Sequence, residues 1–319
     1  MLAFGDSKKD DMDFDKDHDT DITSGKIYSY NTYETYWKHI KYFIAWLKDN
    51  HPDCTTMKKA KGYVPEWLQA RVDQGLSAWT IQTEAAALNK IYGIKVDDPK
   101  RFQPPRRNKA DIVRSRGTKV RDSHFSEKKN EELVNFCKGC GFRRNVLVHL
   151  RGDDLYDRSR VESALMKARA DNDSQMVKAC TDALKTFPNE DYFILHRSDK
   201  GGKTRISPIV GPNVDRIVER MRNTKPDEKV WQYVSGNCDV HGYRSDYATY
   251  LYKEYARPIE DLRFDKKIKC ADGKYRSEIY YCRGDEKGKK LDRRAIGIIS
   301  IALGHNREDT AISNYVRNL

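Results

Sequence analysis

The chain has 319 residues, of which 34% are charged, and a formal net charge of +12. That length suffices for two domains with cores of their own. No apolar run of 18 residues occurs, which argues against a membrane-spanning helix. The N-terminus is acidic and lacks the basic-then-apolar pattern of a signal peptide, so a cytoplasmic location is expected.

The charge is unevenly placed. Residues 1–22 hold eight Asp against Lys8, Lys9 and Lys16, a net of −5, which leaves +17 on the rest of the chain. An excess of that size is the footprint of a protein that binds a polyanion. Seven Cys, an odd number without framework spacing, point to reduced thiols. Cys137-Lys138-Gly139-Cys140 has no second pair at zinc spacing, so no metal site is expected there.

In chain order, residues 1–25 are Asp-rich and poor in apolar side chains, the composition of a disordered leader. Residues 26–100 have a helical pattern. Tyr33, Tyr36, Trp37, Ile40, Phe43, Ile44 and Leu47 recur at helical spacing. A second helix starts at Val64-Pro65, with Pro in its first turn, and a third runs over Thr80–Tyr92 with Ser77 as its N-cap. Residues 101–125 form a linker too rich in Pro and cations to build a core. Its Arg106, Arg107, Lys109, Arg114, Arg116 and Lys119 suit a strap that crosses phosphates.

The second domain, 126–319, opens with a helix over Glu127–Lys138 that breaks at Gly139 and Gly141 and restarts at Phe142. The segment Asp157–Phe187 is helical in composition. Asp191–Arg197 and Thr204–Val210 are β-like runs joined across Lys200-Gly201-Gly202-Lys203, a hairpin signal. A helix over Asn213–Arg222, a second hairpin near Ile268–Arg283 and a helix over Leu291–Leu303 complete it. The fold class predicted is therefore mainly α with small β-hairpins.

Several chemistry-bearing residues occur in a suggestive order. Arg143 stands in Gly141-Phe142-Arg143 at a helix start, with Asp154 eleven positions on and Arg144 as a rival. Lys200 precedes the hairpin glycines, and Lys203 follows them. His241 and Arg244 form a His-x-x-Arg box on one helix face, ahead of Ala248-Thr249. Leu303-Gly304-His305 ends an Ile- and Ala-rich helix, and Tyr315 follows ten positions after His305.

This series, over about residues 28–319, resembles the tyrosine recombinase family of phage and transposon integrases. The resemblance implies a helical core-binding domain and a mixed α/β catalytic domain that close as a C-shaped clamp on double-stranded DNA. It implies that Tyr315, activated by Arg143, Arg244 or His241, attacks a DNA phosphate that the arginines clamp and to which His305 donates, with neither ATP nor a metal or other cofactor required. Lys200, favoured over Lys203, protonates the leaving oxygen in that scheme. Two departures stand out: Val146 occupies the position where the family usually has Glu or Asp, and the family's usual His-to-Tyr separation is nine. The implied partners are recombination sites, a homotetramer on synapsed DNA formed from protomers that are monomeric alone, and accessory DNA-bending or directionality proteins. The alternatives are a DNA-relaxing enzyme of the type IB topoisomerase kind and a catalytically idle DNA-binding regulator with the same fold.

Overall fold

Of the expected apolar stripe from Tyr33 to Leu47, Ile40, Phe43 and Leu47 are buried on α1 (Tyr30–Asn50) in the computed structural model, whereas Trp37 is exposed. The structure describes residues 3–4, 26–108, 111, 124–199, 202–270, 273–283, 286–305, 310–312 and 315–316. Lys109, Arg114, Arg116, Lys119 and Lys200 lie outside the described residues. Contacts divide the chain into two units, Met1–Asp111 and Ile112–Leu319.

In the first unit, α2 (Met57–Ala60) runs through a single 3-10 turn into α3 (Val64–Asp73), which has Pro65 in its first turn. Helix α4 (Ala78–Tyr92) starts where Ser77 Oγ accepts from the Thr80 amide at 3.3 Å, and ends at Gly93 in the left-handed region. Phe43, Leu47, Trp67, Leu68, Ala85 and Leu88 fill the core between these helices. One charge is buried with them. Glu84 accepts from Arg71 Nη2 at 3.0 Å and contacts His39 Nδ1 at 3.1 Å, which ties α1, α3 and α4 together. The start of the linker packs on α4: Gln82 Nε2 donates to the Pro105 carbonyl at 2.8 Å, and the Arg107 guanidinium lies 5.9 Å from the Trp79 ring centroid. Arg106 and Arg107 are exposed. Within the leader expected to lack structure, Ala3–Phe4 (β1) pairs in parallel with Lys26–Ile27 (β2).

The second unit opens with α5 (Glu131–Cys140) and α6 (Arg144–Leu147). Cys137 and Cys140 of the CxxC face the apolar interior, where their role is packing. Leu155–Asp157 (β3) then joins Tyr192–Asp199 (β4) and Lys203–Pro208 (β5) in an antiparallel sheet of order β3-β4-β5. The segment expected to be helical between Asp157 and Phe187 is two helices, α7 (Arg158–Ala170) and α8 (Ser174–Thr186). They part at Asn172, whose positive φ of 57 turns the chain, and Asp173 caps the second. Strand alternation divides β4 between two apolar clusters. Phe193 and Leu195 pack with α7, α8 and the later helices, and Ile194 packs with α5 and α6.

Helix α9 (Val214–Arg222) and helix α10 (Val240–Tyr255) follow. The single hairpin expected near Ile268–Arg283 is two: Lys267–Lys269 (β6) pairs with Tyr275–Ser277 (β7), and Ile279–Tyr281 (β8) pairs with Lys290–Asp292 (β9). Glu278 separates them. It is buried and accepts from the Arg263 amide and from Arg257, so the chain cannot run on as one strand pair there. Helix α11 (Arg293–Ala302) completes the unit; its predicted start at Leu291 falls inside β9. Among the described residues no helix is long and apolar enough to cross a membrane.

Gly141, which ends α5, has φ +60, and an added Cβ would sit 2.3 Å from the Tyr247 ring. Gly141→Ala combines a left-handed alanine with overpacking. It should lower the unfolding free energy by roughly 2–4 kcal/mol in urea denaturation. An unchanged midpoint would contradict this packing.

Candidate active site

Two helix ends and one strand pair build the site. After Gly141 the chain sends Phe142 into the core and extends at Arg143, the residue that starts α6. At the other end, α11 closes through Leu303 and Gly304, whose φ is +65, and the His305 amide donates back to the Ser300 carbonyl at 2.8 Å. Helix carbonyls at such ends have no partner within the helix. Here they are taken by arginines.

Arg244, fully buried on α10, donates through Nη1 to the Gly141 carbonyl and through Nη2 to the Leu303 carbonyl at 2.6 Å. Arg205, buried on β5, donates to the Ala302 carbonyl, to the Gly141 carbonyl at 3.4 Å and, through Nε, to Asp199 Oδ2 at 2.9 Å. Its Nη2 also donates to His196 Nδ1 at 2.8 Å. That bond fixes the imidazole tautomer, so His196 Nε2 donates to Ser207 Oγ at 2.6 Å. The second oxygen of Asp199 lies 2.6 Å from Arg143 Nη1.

Tyr315 is 7% exposed and sits against this cluster. Its ring centroid is 5.1 Å from that of His305 and 6.5 Å from that of His241, and the Arg244 guanidinium lies 5.2 Å from it. Ser245 Oγ donates to the Tyr315 carbonyl and holds the backbone in place. His241 is exposed on the first turn of α10, whose N-cap Asp239 accepts from the Gly242 amide at 2.9 Å. Tyr315 thus reaches His305 despite the separation of ten.

Charge is unbalanced in this space. Three guanidinium groups surround one carboxylate. Burial raises the pKa of the Asp199 carboxyl, but Arg205 and Arg143 outweigh it and hold the group well below the usual carboxylate range. Burial, aided by Arg205 and Arg143, pulls Arg244 down to about 9, so it stays charged at neutral pH. Burial and then Arg244, Arg143 and Arg205 pull His305 down to about 3. His196 is likewise held well below its ordinary value, by burial first and Arg205 second. Both imidazoles are therefore neutral at neutral pH. Arg244 Nε and His305 Nδ1 are buried without a hydrogen-bond partner among the described residues. Such a space favours an anion with several acceptor oxygens, with a phenol beside it.

Of the residues selected from sequence, Arg143, His241, Arg244, His305 and Tyr315 come together. Lys203 is the exposed first residue of β5, and its rival Lys200 lies outside the described residues. Arg144 is engaged elsewhere. Its guanidinium donates to the carbonyls of Ser235, Gly236 and Cys238, which fastens the loop that leads into α10. Asp154 is also structural, accepting from the Arg151 amide at 2.9 Å and from Arg197 Nε at 2.6 Å. Asp199, Arg205 and His196 were not selected. Their one sequence signal is that charged and polar residues interrupt two otherwise apolar strands.

Residues 17–97 match the family model described as the phage integrase N-terminal, SAM-like domain, a domain of tyrosine recombinases. The match covers the helical first unit and does not extend to the residues around Tyr315. No curated protein matches the chain.

The neutral histidines set an acid response. Unfolded, each takes up a proton below about pH 6.5, whereas folded His305 does so only near 3 and His196 also far lower. The unfolded state then binds more protons, so stability falls as pH drops below about 6.5, by up to ~1.4 kcal/mol per unit for each histidine. His196→Gln should remove close to one such contribution from the slope of unfolding free energy between pH 6 and 4.5. An unaltered slope would contradict a neutral, buried His196.

Proposed function

We propose that the chain is a site-specific DNA recombinase that cuts and rejoins duplex DNA through Tyr315. The observation that carries this reading is the Tyr315 phenol packed against buried Arg244 and neutral His305, within a cluster where guanidinium groups outnumber carboxylates. Phosphoryl transfer asks a protein mainly for positioning and charge stabilisation, and this cluster supplies both. The integrase-type N-terminal domain and the +17 outside the acidic leader support a DNA substrate.

In this scheme Arg143 and Arg244 hold the non-bridging oxygens of the scissile phosphate, and His305 donates to one of them as a neutral imidazole. The Tyr315 oxygen forms a bond to phosphorus as the bond from phosphorus to the 5′-oxygen breaks. The phenolic proton passes to His241, and the departing 5′-oxygen takes a proton from Lys200, or from Lys203 on the adjoining strand. The product is a 3′-phosphotyrosyl bond and a 5′-hydroxyl. A 5′-hydroxyl from a second duplex reverses the step and completes strand exchange, with the energy of the phosphodiester kept in the phosphotyrosyl bond. Exchange between two duplexes calls for four protomers, assembled on DNA from monomers. The exposed Arg106 and Arg107, with Lys109, Arg114, Arg116 and Lys119 of the linker, add contacts to phosphates.

Given a nicked duplex that bears its site, the protein should form an adduct that survives SDS. Tyr315→Phe should abolish the adduct and leave DNA affinity unchanged. Arg143→Ala should slow its formation by about 10²- to 10³-fold, the effect of losing one charge-stabilising donor. An undiminished adduct in Tyr315→Phe would overturn the assignment. Relaxation of plasmids without joining to a second duplex would show a topoisomerase instead.

A further inference from the structure

The strand β4 contains a conformation that side-chain packing alone does not call for. His196 faces inward, and Arg197 and Ser198 are exposed. In a regular strand, inward and outward positions alternate, so Asp199 would point outward with Arg197. It is instead 3% exposed. The pairing of β4 with β5 shifts register between His196 and Asp199, and Ser198 takes a positive φ of 48. A serine held in the left-handed region costs energy and persists only where its surroundings demand it. Its consequence is the inward turn of Asp199.

Each oxygen of the inward carboxylate has its own arginine. Oδ2 meets Arg205 Nε at 2.9 Å and Oδ1 meets Arg143 Nη1 at 2.6 Å. The Arg143 side chain is 18% exposed and that of Asp199 only 2%, so the carboxylate lies beneath the guanidinium and leaves its outer edge accessible. Among the described residues no other carboxylate pairs with Arg143. The α6 residue one turn on, Val146, is 4% exposed and packs in an apolar cluster with Phe142 and Leu147, so it offers no brace.

We propose that Asp199 is the positioning carboxylate of the site, turned inward by the bulge at Ser198 to hold Arg143 beneath the scissile phosphate. This rests on the phosphodiester chemistry proposed above. Asp199 touches no reacting atom. It limits where the Arg143 fork can point, and it screens Arg143 from Arg205, two cations that would otherwise drive each other apart. A brace supplied from the end of β4 accounts for a valine at 146, because the helix position is then free to pack in the core.

The test is a double-mutant cycle on cleavage of the nicked duplex by the full chain, with DNA affinity measured alongside. Asp199→Asn should slow adduct formation roughly 10- to 100-fold with DNA affinity unchanged, the scale on which an outer positioning group acts. In the Arg143→Ala background the same change should add no further loss. A merely structural role would add the same loss in both backgrounds, and that outcome would overturn the proposal, as would a wild-type rate in Asp199→Asn. If Asp199→Asn does not fold, Asp199→Glu takes its place in the cycle: it keeps the charge facing Arg205 but displaces the contact with Arg143. A wild-type rate in Asp199→Glu, or an equal loss with and without Arg143, would overturn the proposal. Absence of any adduct in the wild type would instead defeat the strand-transfer reading.

Discussion

Two buried arginines fasten the ends of two helices to each other, and the rest of the site depends on that grip. The carbonyls at the C-terminus of α5 and at the C-terminus of α11 have no partner inside their helices. Arg244 takes one from each, at Gly141 and Leu303, and Arg205 takes Gly141 and Ala302. A guanidinium brought out of water costs several kcal/mol unless its donors are met. Carbonyls at the negative ends of two helices meet part of that cost, and a charge-assisted hydrogen bond is worth about 1.5–3 kcal/mol net. The close approach requires glycines: an added Cβ on Gly304 would sit 2.8 Å from Arg205 Cδ.

What the carbonyls cannot do is cancel the charge. They are dipoles, and the only carboxylate that pairs with these guanidinium groups among the described residues is Asp199. The excess shows in the neighbours. His305 and His196 are held neutral, and Arg244 is pulled down although nothing removes its proton at neutral pH. A phosphodiester brings one negative charge and several acceptor oxygens to such a space, and it relieves repulsion already present in the folded protein. The donors are in place beforehand, so the proposed strand transfer would need little reorganisation at the moment of reaction. The phenol of Tyr315, anchored through its carbonyl by Ser245, is held in the same preformed frame.

Much of this was legible in the sequence because it is carried by local patterns. Helical spacing marked α1, Ser77 marked the start of α4, and the Lys-Gly-Gly-Lys turn marked the hairpin of β4 and β5. The order Arg143, His-x-x-Arg, Gly-His and Tyr315 identified side chains that the fold brings together. Choosing between Arg143 and Arg144 was not a local matter: one guanidinium turns to Asp199, the other to carbonyls some 90 residues away in the chain. Asp199 and Arg205 escaped for a related reason. Strand alternation assigns Asp199 to the outer face, and only the bulge at Ser198 reverses it. The division of the late hairpin into two was hidden because buried Glu278 looks like any surface glutamate until Arg257 is seen beside it.

The central claim is that this cationic, preformed frame directs one particular phenol at phosphorus. The most direct measurement is to trap the adduct on a nicked duplex, digest it, and sequence the peptide that carries the nucleotide by mass spectrometry. The account predicts a 3′-phosphonucleotide on the Tyr315 side chain. A nucleotide on any other residue, or one linked through its 5′-phosphate, would contradict it.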